Sequence, residues 1–348
     1  MNFKRLFVVL IIGVNFILYI VSYLNLTMDY SKNVNNIINT KVWIIGRNVG
    51  LKLYTKGILV VGKSEIDGVD GKIHSPSKDS NIQIGDMIKE VNGMKINTAK
   101  EFMDFLQQNG EKEITLKYEN NYKEYDTKIK PVLAMDNVYM IGLWVRDAAA
   151  GIGTMTYYNE ENSKFAALGH GIEDIDTGDL LNISNGELVK SNIVSIKKAD
   201  KNNHGEIRGT IDDNNKLGEI LINKETGIYG IINNKEYVDK VKLFEVEVAD
   251  RSEIKNGEAE IYCELENDKI EKYEIKVLRI FRRSKDDNKS MLIKITDNRL
   301  IEKTGGIIPG MSGTPIIQNG KLIGAITNVL VNKPDEGYAI FSDIMCEN

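Results

Sequence analysis

The last 200 or so residues contain many short segments typical of β-strands and no convincing long helix. Segments such as residues 151–158, 216–222 and 273–280 are rich in β-branched and aromatic residues, and turns containing Gly and Asn separate them. The pair Asn319-Gly320, between two apolar runs, is typical of a two-residue hairpin turn. Such a chain must bury its strands against one another. The pattern therefore predicts an all-β domain over residues 132–348, either one barrel or a pair of barrels.

Residues 41–131 have a different pattern, in which strands accompany one helix. Residues 51–54 and 57–61 predict two short strands joined by Thr55-Lys56. Residues 98–108 predict a helix, because apolar residues recur there at helical spacing and Glu101 follows the capping residue Thr98 by three positions. The stretch SPSKDSNIQIGDMIKEVNGMKI, residues 75–96, resembles PDZ domains.

The PDZ resemblance implies a peptide-binding loop. The Gly-Leu-Gly-Phe-like run of that family falls on Asn48-Val49-Gly50-Leu51, where Asn48 replaces the first glycine. In PDZ domains the backbone N–H groups of this loop hold a C-terminal carboxylate, and the next strand pairs with the bound peptide. The resemblance therefore assigns peptide binding to Val49, Gly50 and Leu51. The alternative is that this domain only packs against its neighbour.

The N-terminus has the features of a membrane segment. Lys4 and Arg5 precede a mostly apolar run, residues 6–24, which as a helix would be about 28 Å long. Positive residues before such a run stay in the cytosol, so the chain after it would be extracytoplasmic. We expect an anchor or signal at residues 1–28 and a polar linker at residues 29–40. An uncleaved anchor fits better than a cleaved signal, because no cleavage site with small residues is visible.

Charge and cysteine content exclude two other classes of protein. The net charge is −5, whereas a nucleic-acid-binding protein would favour a basic patch. The two cysteines, Cys263 and Cys346, cannot build a disulfide framework, and neither has the spacing of metal ligands. We therefore expect no nucleic acid among the partners.

One histidine and one serine have the surroundings of catalytic residues. Of the three histidines, His170 alone follows a small apolar segment and lies between two glycines. Ser312 lies in the tight turn Gly-Met-Ser-Gly-Thr-Pro. A serine hydroxyl becomes a nucleophile when a histidine removes its proton. The amides of Gly310 and Ser312 could form the oxyanion hole of such a site. The alternative for His170 is a buried histidine hydrogen-bonded to the backbone.

The third member of a triad, an acid, has several candidates. Asp297 ends a predicted strand fifteen residues before Ser312, and Asp174 and Asp176 lie just after His170. The same Asp-rich segment starts like a calcium loop, but its twelfth position holds asparagine instead of glutamate. We therefore expect no metal and no cofactor.

Two longer segments resemble the SpoIVB peptidases (stage IV sporulation protein B). They are GLWVRDAAAGIGTMTYYNEENSKFAALGHGIEDIDTG and GGIIPGMSGTPIIQNGKLIGAITNVLVNKPDEGYAIF. The similarity extends over almost the whole chain: membrane segment, PDZ domain at residues 41–131 and trypsin-like double-barrel peptidase at residues 132–348. The resemblance places the catalytic triad on His170, Asp297 and Ser312.

The resemblance also implies a biological role. SpoIVB peptidases are serine endopeptidases of the space between the two spore membranes. They cleave themselves and a regulator of an intramembrane metalloprotease, so that a late mother-cell sigma factor is processed. Two alternatives are an HtrA-type quality-control protease, in which the PDZ domain follows the protease, and an inactive extracytoplasmic scaffold.

Overall fold

The fold is taken from a computed structural model that describes residues 40–200, 203–282, 284, 286–330 and 332–346. Its strands are β1 (Lys41–Lys63), β2 (Ile66–Asp67), β3 (Ile73–His74), β4 (Met87–Val91), β5 (Met94–Lys95), β6 (Ile114–Asn120), β7 (Lys123–Ile129), β8 (Val132–Leu133), β9 (Tyr139–Met140), β10 (Leu143–Asn159), β11 (Lys164–Ala167), β12 (Ile183–Lys197), β13 (Glu206–Lys224), β14 (Gly227–Ile231), β15 (Glu245–Val248), β16 (Gly257–Glu266), β17 (Lys269–Ile280), β18 (Met291–Ile295), β19 (Pro315–Gln318), β20 (Lys321–Leu330) and β21 (Lys333–Phe341).

The helices are few and short. They are α1 (Pro76–Asp79), α2 (Ala99–Asn109), α3 (Lys235–Val241), α4 (Asn298–Thr304) and α5 (Ser342–Cys346), with a 3₁₀ turn at Asp287–Lys289. Within the described ranges, no helix is both long enough and apolar enough to cross a membrane. The predicted membrane segment, residues 6–24, lies outside the described residues. The prediction of a mainly β protein is confirmed.

Most strands of the fold belong to two closed rings of paired strands. In the first barrel the order of pairing is β1, β10, β11, β14, β13, β12 and back to β1. In the second it is β16, β17, β18, β21, β20, β19 and back to β16. Each barrel encloses its own apolar core, centred on residues such as Leu51 and Phe165 in the first and Ile293 and Phe341 in the second. The alternating patterns in the sequence supply these inward-facing side chains.

A third module lies between β1 and β10 in the chain. Its sheet has the strand order β7, β6, β4, β1 and β10, and helix α2 packs against the same core. The predicted capping box is present: the Thr98 hydroxyl accepts from the Glu101 amide at 3.1 Å, and the Glu101 carboxylate accepts from the Thr98 amide at 3.3 Å. The predicted helix at residues 98–108 is therefore confirmed.

Strand β1 belongs to two modules at once, which differs from the predicted pair of short strands. Up to Thr55 it pairs with β10 on one side and β12 on the other, inside the first barrel. From Ile58 it pairs with β4 of the inserted module. Gly57 (φ 140°) allows the bend between the two parts, and a Cβ there would lie 2.4 Å from the Ile88 carbonyl oxygen. The Thr55-Lys56 segment continues the strand rather than forming a loop.

This arrangement corrects the expected peptide-binding loop. Val49, Gly50 and Leu51 lie in the middle of the first barrel, where β10 and β12 occupy both edges of their strand. A peptide can add only to a free edge, so these residues do not bind one by strand addition. A Cβ on Gly50 would lie 2.8 Å from a methyl group of Val189, so packing between strands explains the glycine. Sequence alone identified a strand here but could not identify its partners.

The boundary expected at residue 131 also differs from the pairing. Residues 41–55 belong to the first barrel, and the start of β10 belongs to the inserted module. The inserted module therefore leaves and rejoins the barrel through two neighbouring strands, where Leu59 and Arg146 are direct partners.

We predict that the inserted module can be removed, whereas β1 cannot. A variant in which a short hairpin turn replaces residues 60–145 should fold, because Leu59 and Arg146 already face each other across β1 and β10. A chain that starts at residue 132 lacks the central strand of the first barrel and should show no cooperative unfolding. Thermal unfolding followed by circular dichroism checks both variants. If the chain that starts at residue 132 unfolds cooperatively at the wild-type temperature, the conclusion that β1 belongs to both modules is wrong.

Candidate active site

His170 lies just beyond the end of β11, in a loop that depends on two glycines. Gly169 adopts a left-handed conformation (φ 70°), and a Cβ there would lie 3.0 Å from a methyl group of Ile340 in the second barrel. A Cβ on Gly171 would lie 2.6 Å from the Lys224 carbonyl oxygen. The Gly-His-Gly run is therefore required by close packing of the loop against the end of β13 and the second barrel.

The imidazole of His170 is held by a backbone carbonyl. Its Nδ1 lies 2.8 Å from the Gly171 carbonyl oxygen, which can only accept, so Nδ1 carries the proton and donates. The other ring nitrogen, Nε2, is then unprotonated and has no partner among the described residues. Burial lowers the pKa of His170 below its usual value of 6.5, although the Gly171 carbonyl and the charge of Glu173 oppose this shift. The ring is therefore set up as a neutral base.

Ser312 lies in the turn that precedes β19 and is fastened to the first barrel. The Thr154 amide donates to the Ser312 carbonyl at 2.9 Å, and the Thr154 hydroxyl donates to the Gly310 carbonyl at 2.9 Å. The Thr156 hydroxyl donates to the Gly313 carbonyl at 2.6 Å. Gly313 (φ 92°) is needed for this contact, because a Cβ there would lie 2.1 Å from the Thr154 carbonyl oxygen.

The four amides of the serine turn differ in whether they have an acceptor. In this turn the Met311 amide donates to Ile308 and the Gly313 amide donates to Ile326. The amides of Gly310 and Ser312 have no acceptor among the described residues. These are the two amides that the sequence assigns to the oxyanion hole, and a developing negative charge is what such unpaired donors stabilise.

His170 and Ser312 line one cavity of about 360 Å³ between the two barrels. The Ser312 hydroxyl donates to the Thr327 carbonyl at 2.8 Å, so it is not bonded to His170 in this conformation. Rotation about the Cα–Cβ bond of Ser312 is needed before proton transfer. Catalytic hydrogen bonds often form only when substrate is bound. The remaining lining is mostly apolar and comes from residues 150–152, 307–310 and 327–329, with Leu51, Leu168 and Ile172.

Asp297 lies away from this cavity. It caps helix α4 by accepting from the Arg299 amide at 2.9 Å, and its carboxylate pairs with the Arg299 guanidinium at 2.7 Å. The Arg299 side chain lowers the pKa of Asp297 by hydrogen bonding to its charged form. The 3₁₀ turn Asp287–Lys289, which precedes β18, lines a second cavity together with His170, whereas Asp297 follows the end of that strand, about 16 Å further along. The structure thus does not bring Asp297 to His170, and its role as the orienting acid stays a prediction.

The rival carboxylates are engaged in holding the loop after His170. Asp174 is buried and accepts from the amides of Asp176 and Thr177 at 3.0 and 3.1 Å. Arg146 pairs with both Asp174 and Asp176. Burial alone would raise the pKa of Asp174, but these hydrogen bonds and the Arg146 charge outweigh burial and lower it. Among the described residues, no group of His, Cys, Asp and Glu side chains has the arrangement of a metal site.

Sequence reasoning missed the backbone groups that position both side chains. The carbonyls of Gly171 and Thr327 hold the histidine and the serine, and Thr154 and Thr156 fasten the serine turn. The alternating Thr-Met-Thr of β10 places both hydroxyls on one face of the strand. That alternation is the only signal in the sequence, and it does not identify the turn they contact.

Three solved structures illustrate the proteins to which parts of the chain are similar. The PDZ domain of the SdrC-like protein (Lmo2051) from Listeria monocytogenes is 21% identical and covers 26% of this chain and 87% of its own, with a TM-score of 0.22. The active form of the Rv3671c protease from M. tuberculosis is 12% identical over 56% of this chain and 70% of its own, with a TM-score of 0.30. The HtrA-type protease AlgW with decapeptide is 10% identical over 65% of this chain and 53% of its own, also with a TM-score of 0.30.

No curated protein matches the chain. The family model for SpoIVB peptidase S55, in contrast, matches residues 137–346, which include His170, Asp297 and Ser312 and make up more than half of the chain. The two segments that carry the resemblance, residues 142–178 and 305–341, lie wholly within that match. The chain therefore belongs to the SpoIVB peptidase S55 family.

Proposed function

We propose that the protein is a serine endopeptidase in which Ser312 is the nucleophile and His170 the base. The observation that carries this proposal is the shared cavity, which brings together a histidine with a free Nε2, a serine hydroxyl and two unpaired amides. Nε2 takes the Ser312 proton as the oxygen attacks the scissile carbonyl, and the amides of Gly310 and Ser312 stabilise the oxyanion. The same nitrogen then gives the proton to the leaving amine. Water, activated by His170, hydrolyses the acyl-enzyme.

Membership of the S55 family supports a finer proposal for the substrates. We propose that the enzyme cleaves itself and a regulator of an intramembrane metalloprotease, so that a late mother-cell sigma factor is processed. The family match favours this role over that of an HtrA-type quality-control protease. The joint presence of His170 and Ser312 in one cavity is the argument against an inactive scaffold.

The apolar run at residues 6–24 motivates a proposal for the location. Lys4 and Arg5 before this run favour an enzyme that is held at the membrane with its described residues outside the cytosol. Added protease should digest the enzyme on intact cells or forespore-derived vesicles. Full protection together with a cytosolic control protein would contradict this location.

The first prediction concerns the nucleophile and its base. Ser312→Ala and His170→Gln should each abolish self-cleavage and labelling by a fluorophosphonate, a reagent that reacts with activated serines, because each removes half of the proton-transfer pair. His74→Gln is the matched control, since His74 pairs with Asp70 in the inserted module at 2.9 Å. Labelling of a folded Ser312→Ala protein at the wild-type rate would rule out this nucleophile.

The second prediction concerns pH. His170 acts only when neutral, so kcat/KM should rise as pH increases through its pKa, and burial places the midpoint below 6.5. Below that midpoint the ring is protonated and cannot take the Ser312 proton. Glu173→Gln should move the midpoint to still lower pH, because the Glu173 charge favours the protonated ring. The midpoint is measured from the rate of fluorophosphonate labelling between about pH 4 and about pH 9, a range that lies between the titration of ordinary carboxyl and amine groups. A midpoint at or above pH 7 would contradict the geometry.

The third prediction separates the two roles of Asp297. Asp297→Ala should lower the free energy of unfolding by about 1 kcal/mol, because helix α4 loses its cap, whereas Asp297→Asn keeps a good capping residue. If capping of helix α4 is the whole role of Asp297, Asp297→Asn should also keep peptidase activity within about tenfold of wild type. A loss of about 10⁴-fold with unchanged stability would instead establish the triad that the family resemblance implies. Asp174→Asn and Asp176→Asn are the comparison variants.

A further inference from the structure

Strand β10 runs from the inserted module to the turn that contains Ser312. Within the described residues, one of its two edges is unpaired over most of its length. On one side it pairs with β1 from Leu143 to Tyr158. On the other side it pairs with β11, and only from Met155 onward. In the described part of the chain, no strand pairs with this second edge over residues 143–153. None of residues 143–152 is buried, as expected for an open edge.

The direction of the backbone groups along this edge follows from its two ends. The Asp147 carbonyl points toward β1, where it accepts from the Thr55 hydroxyl at 3.0 Å. The Thr154 amide and carbonyl point the other way, to Ser312 and Leu168. Backbone groups alternate in direction along a strand. The amides and carbonyls of the even-numbered residues 148, 150 and 152 therefore face the open edge, and those of the odd-numbered residues face β1.

We propose that an extended segment of the protein substrate adds to β10 as a strand along this open edge and enters the catalytic cavity at its end. This proposal deepens the proposed peptidase function and rests on it. The occupant follows from chemistry: a row of unpaired backbone N–H and C=O groups is complemented by another extended main chain. The position of the edge also identifies the substrate, because Ala150, Gly151 and Ile152 line the same cavity as His170 and Ser312.

The side chains along the edge fit a close-lying main chain. The run from Ala148 to Gly153 contains only small residues apart from Ile152, and a Cβ on Gly151 would meet no atom within 4 Å. At the other end of the edge, Trp144 is 64% exposed. An aromatic ring there offers an apolar contact for a side chain of the substrate.

The length of the edge sets the minimum substrate. From Trp144 to Ile152 the strand extends about 26 Å, which corresponds to about eight residues of extended peptide. The preferred substrate is thus an unfolded or flexible segment that continues at least that far to one side of the scissile bond. A short peptide that fills only the cavity leaves most of the edge unused.

Proline substitutions test this proposal, because proline removes one amide and is tolerated in a strand where that amide is not needed. Ala148→Pro removes an amide of the open edge at a distance from the cavity. It should lower kcat/KM for β-casein, a disordered protein, about tenfold, with the change mainly in KM. Fluorophosphonate labelling of Ser312 should stay at the wild-type rate. Ala149→Pro is the matched control: its amide faces β1 opposite Leu53, so it should destabilise the first barrel and reduce labelling as well.

The outcomes separate this inference from the proposed peptidase function. Wild-type cleavage of β-casein by a normally labelled Ala148→Pro enzyme would overturn the open-edge proposal and leave the peptidase intact. Absence of labelling in the wild-type enzyme would overturn the peptidase itself. If Ala148→Pro does not fold, the wild-type enzyme is compared on a short peptide that fills only the cavity and on the same peptide extended by about eight residues. Equal kcat/KM for the two peptides would overturn the proposal. If the β-casein rate of Ala148→Pro falls only in proportion to its labelling rate, the proposal is also overturned.

Discussion

The site depends on the hydrogen bonds by which one strand of the first barrel holds the serine turn of the second. The backbone and hydroxyl of Thr154 and the hydroxyl of Thr156 bind the carbonyls of Ser312, Gly310 and Gly313. In the same turn, the amides of Gly310 and Ser312 have no acceptor among the described residues. One set of contacts therefore both joins the two barrels and fixes the turn that contains the proposed oxyanion hole. A substitution that loosens this contact would disturb the barrel interface and the site together.

The site also depends on three glycines, which allow the backbone segments around it to approach one another closely. Cβ atoms on Gly169, Gly171 and Gly313 would each lie 3.0 Å or less from a neighbouring heavy atom. These glycines allow the histidine loop and the serine turn, which are far apart in the sequence, to meet at the boundary between the barrels. The flanking glycines thus have a physical explanation that does not depend on chemistry. Catalysis uses the proximity that they make possible.

Much of the fold could be predicted from the sequence because its signals are local. The capping box at Thr98 and Glu101, the turn at Asn319-Gly320 and the alternating strands all follow from short-range rules. Long-range pairing could not be predicted, since a strand pattern is the same whichever strands lie beside it. The PDZ resemblance places a peptide-binding loop at residues 49–51, whereas pairing with β10 and β12 places them inside the first barrel.

The same limit applies to the candidate site. His170 and Ser312 were identifiable because each has unusual neighbours in the sequence, and the structure places them in one cavity. The acid had no such local signal. Asp297 at the end of a strand is equally typical of a helix cap, which is the role its contacts show. Spacing along the chain could not distinguish these two roles, because they differ only in what lies across the fold.

The double crossing between the inserted module and the barrel also affects how a substrate would be held. A domain on a flexible linker presents its ligand at an effective concentration that falls as the linker lengthens. Here the two connections are the strands β1 and β10, which pair with each other at Leu59 and Arg146. The inserted module is therefore not on a flexible linker. A segment captured at the module would arrive with its direction and register already set relative to Ser312. The number of substrate residues between the module and Ser312 would then decide which peptide bond reaches the serine.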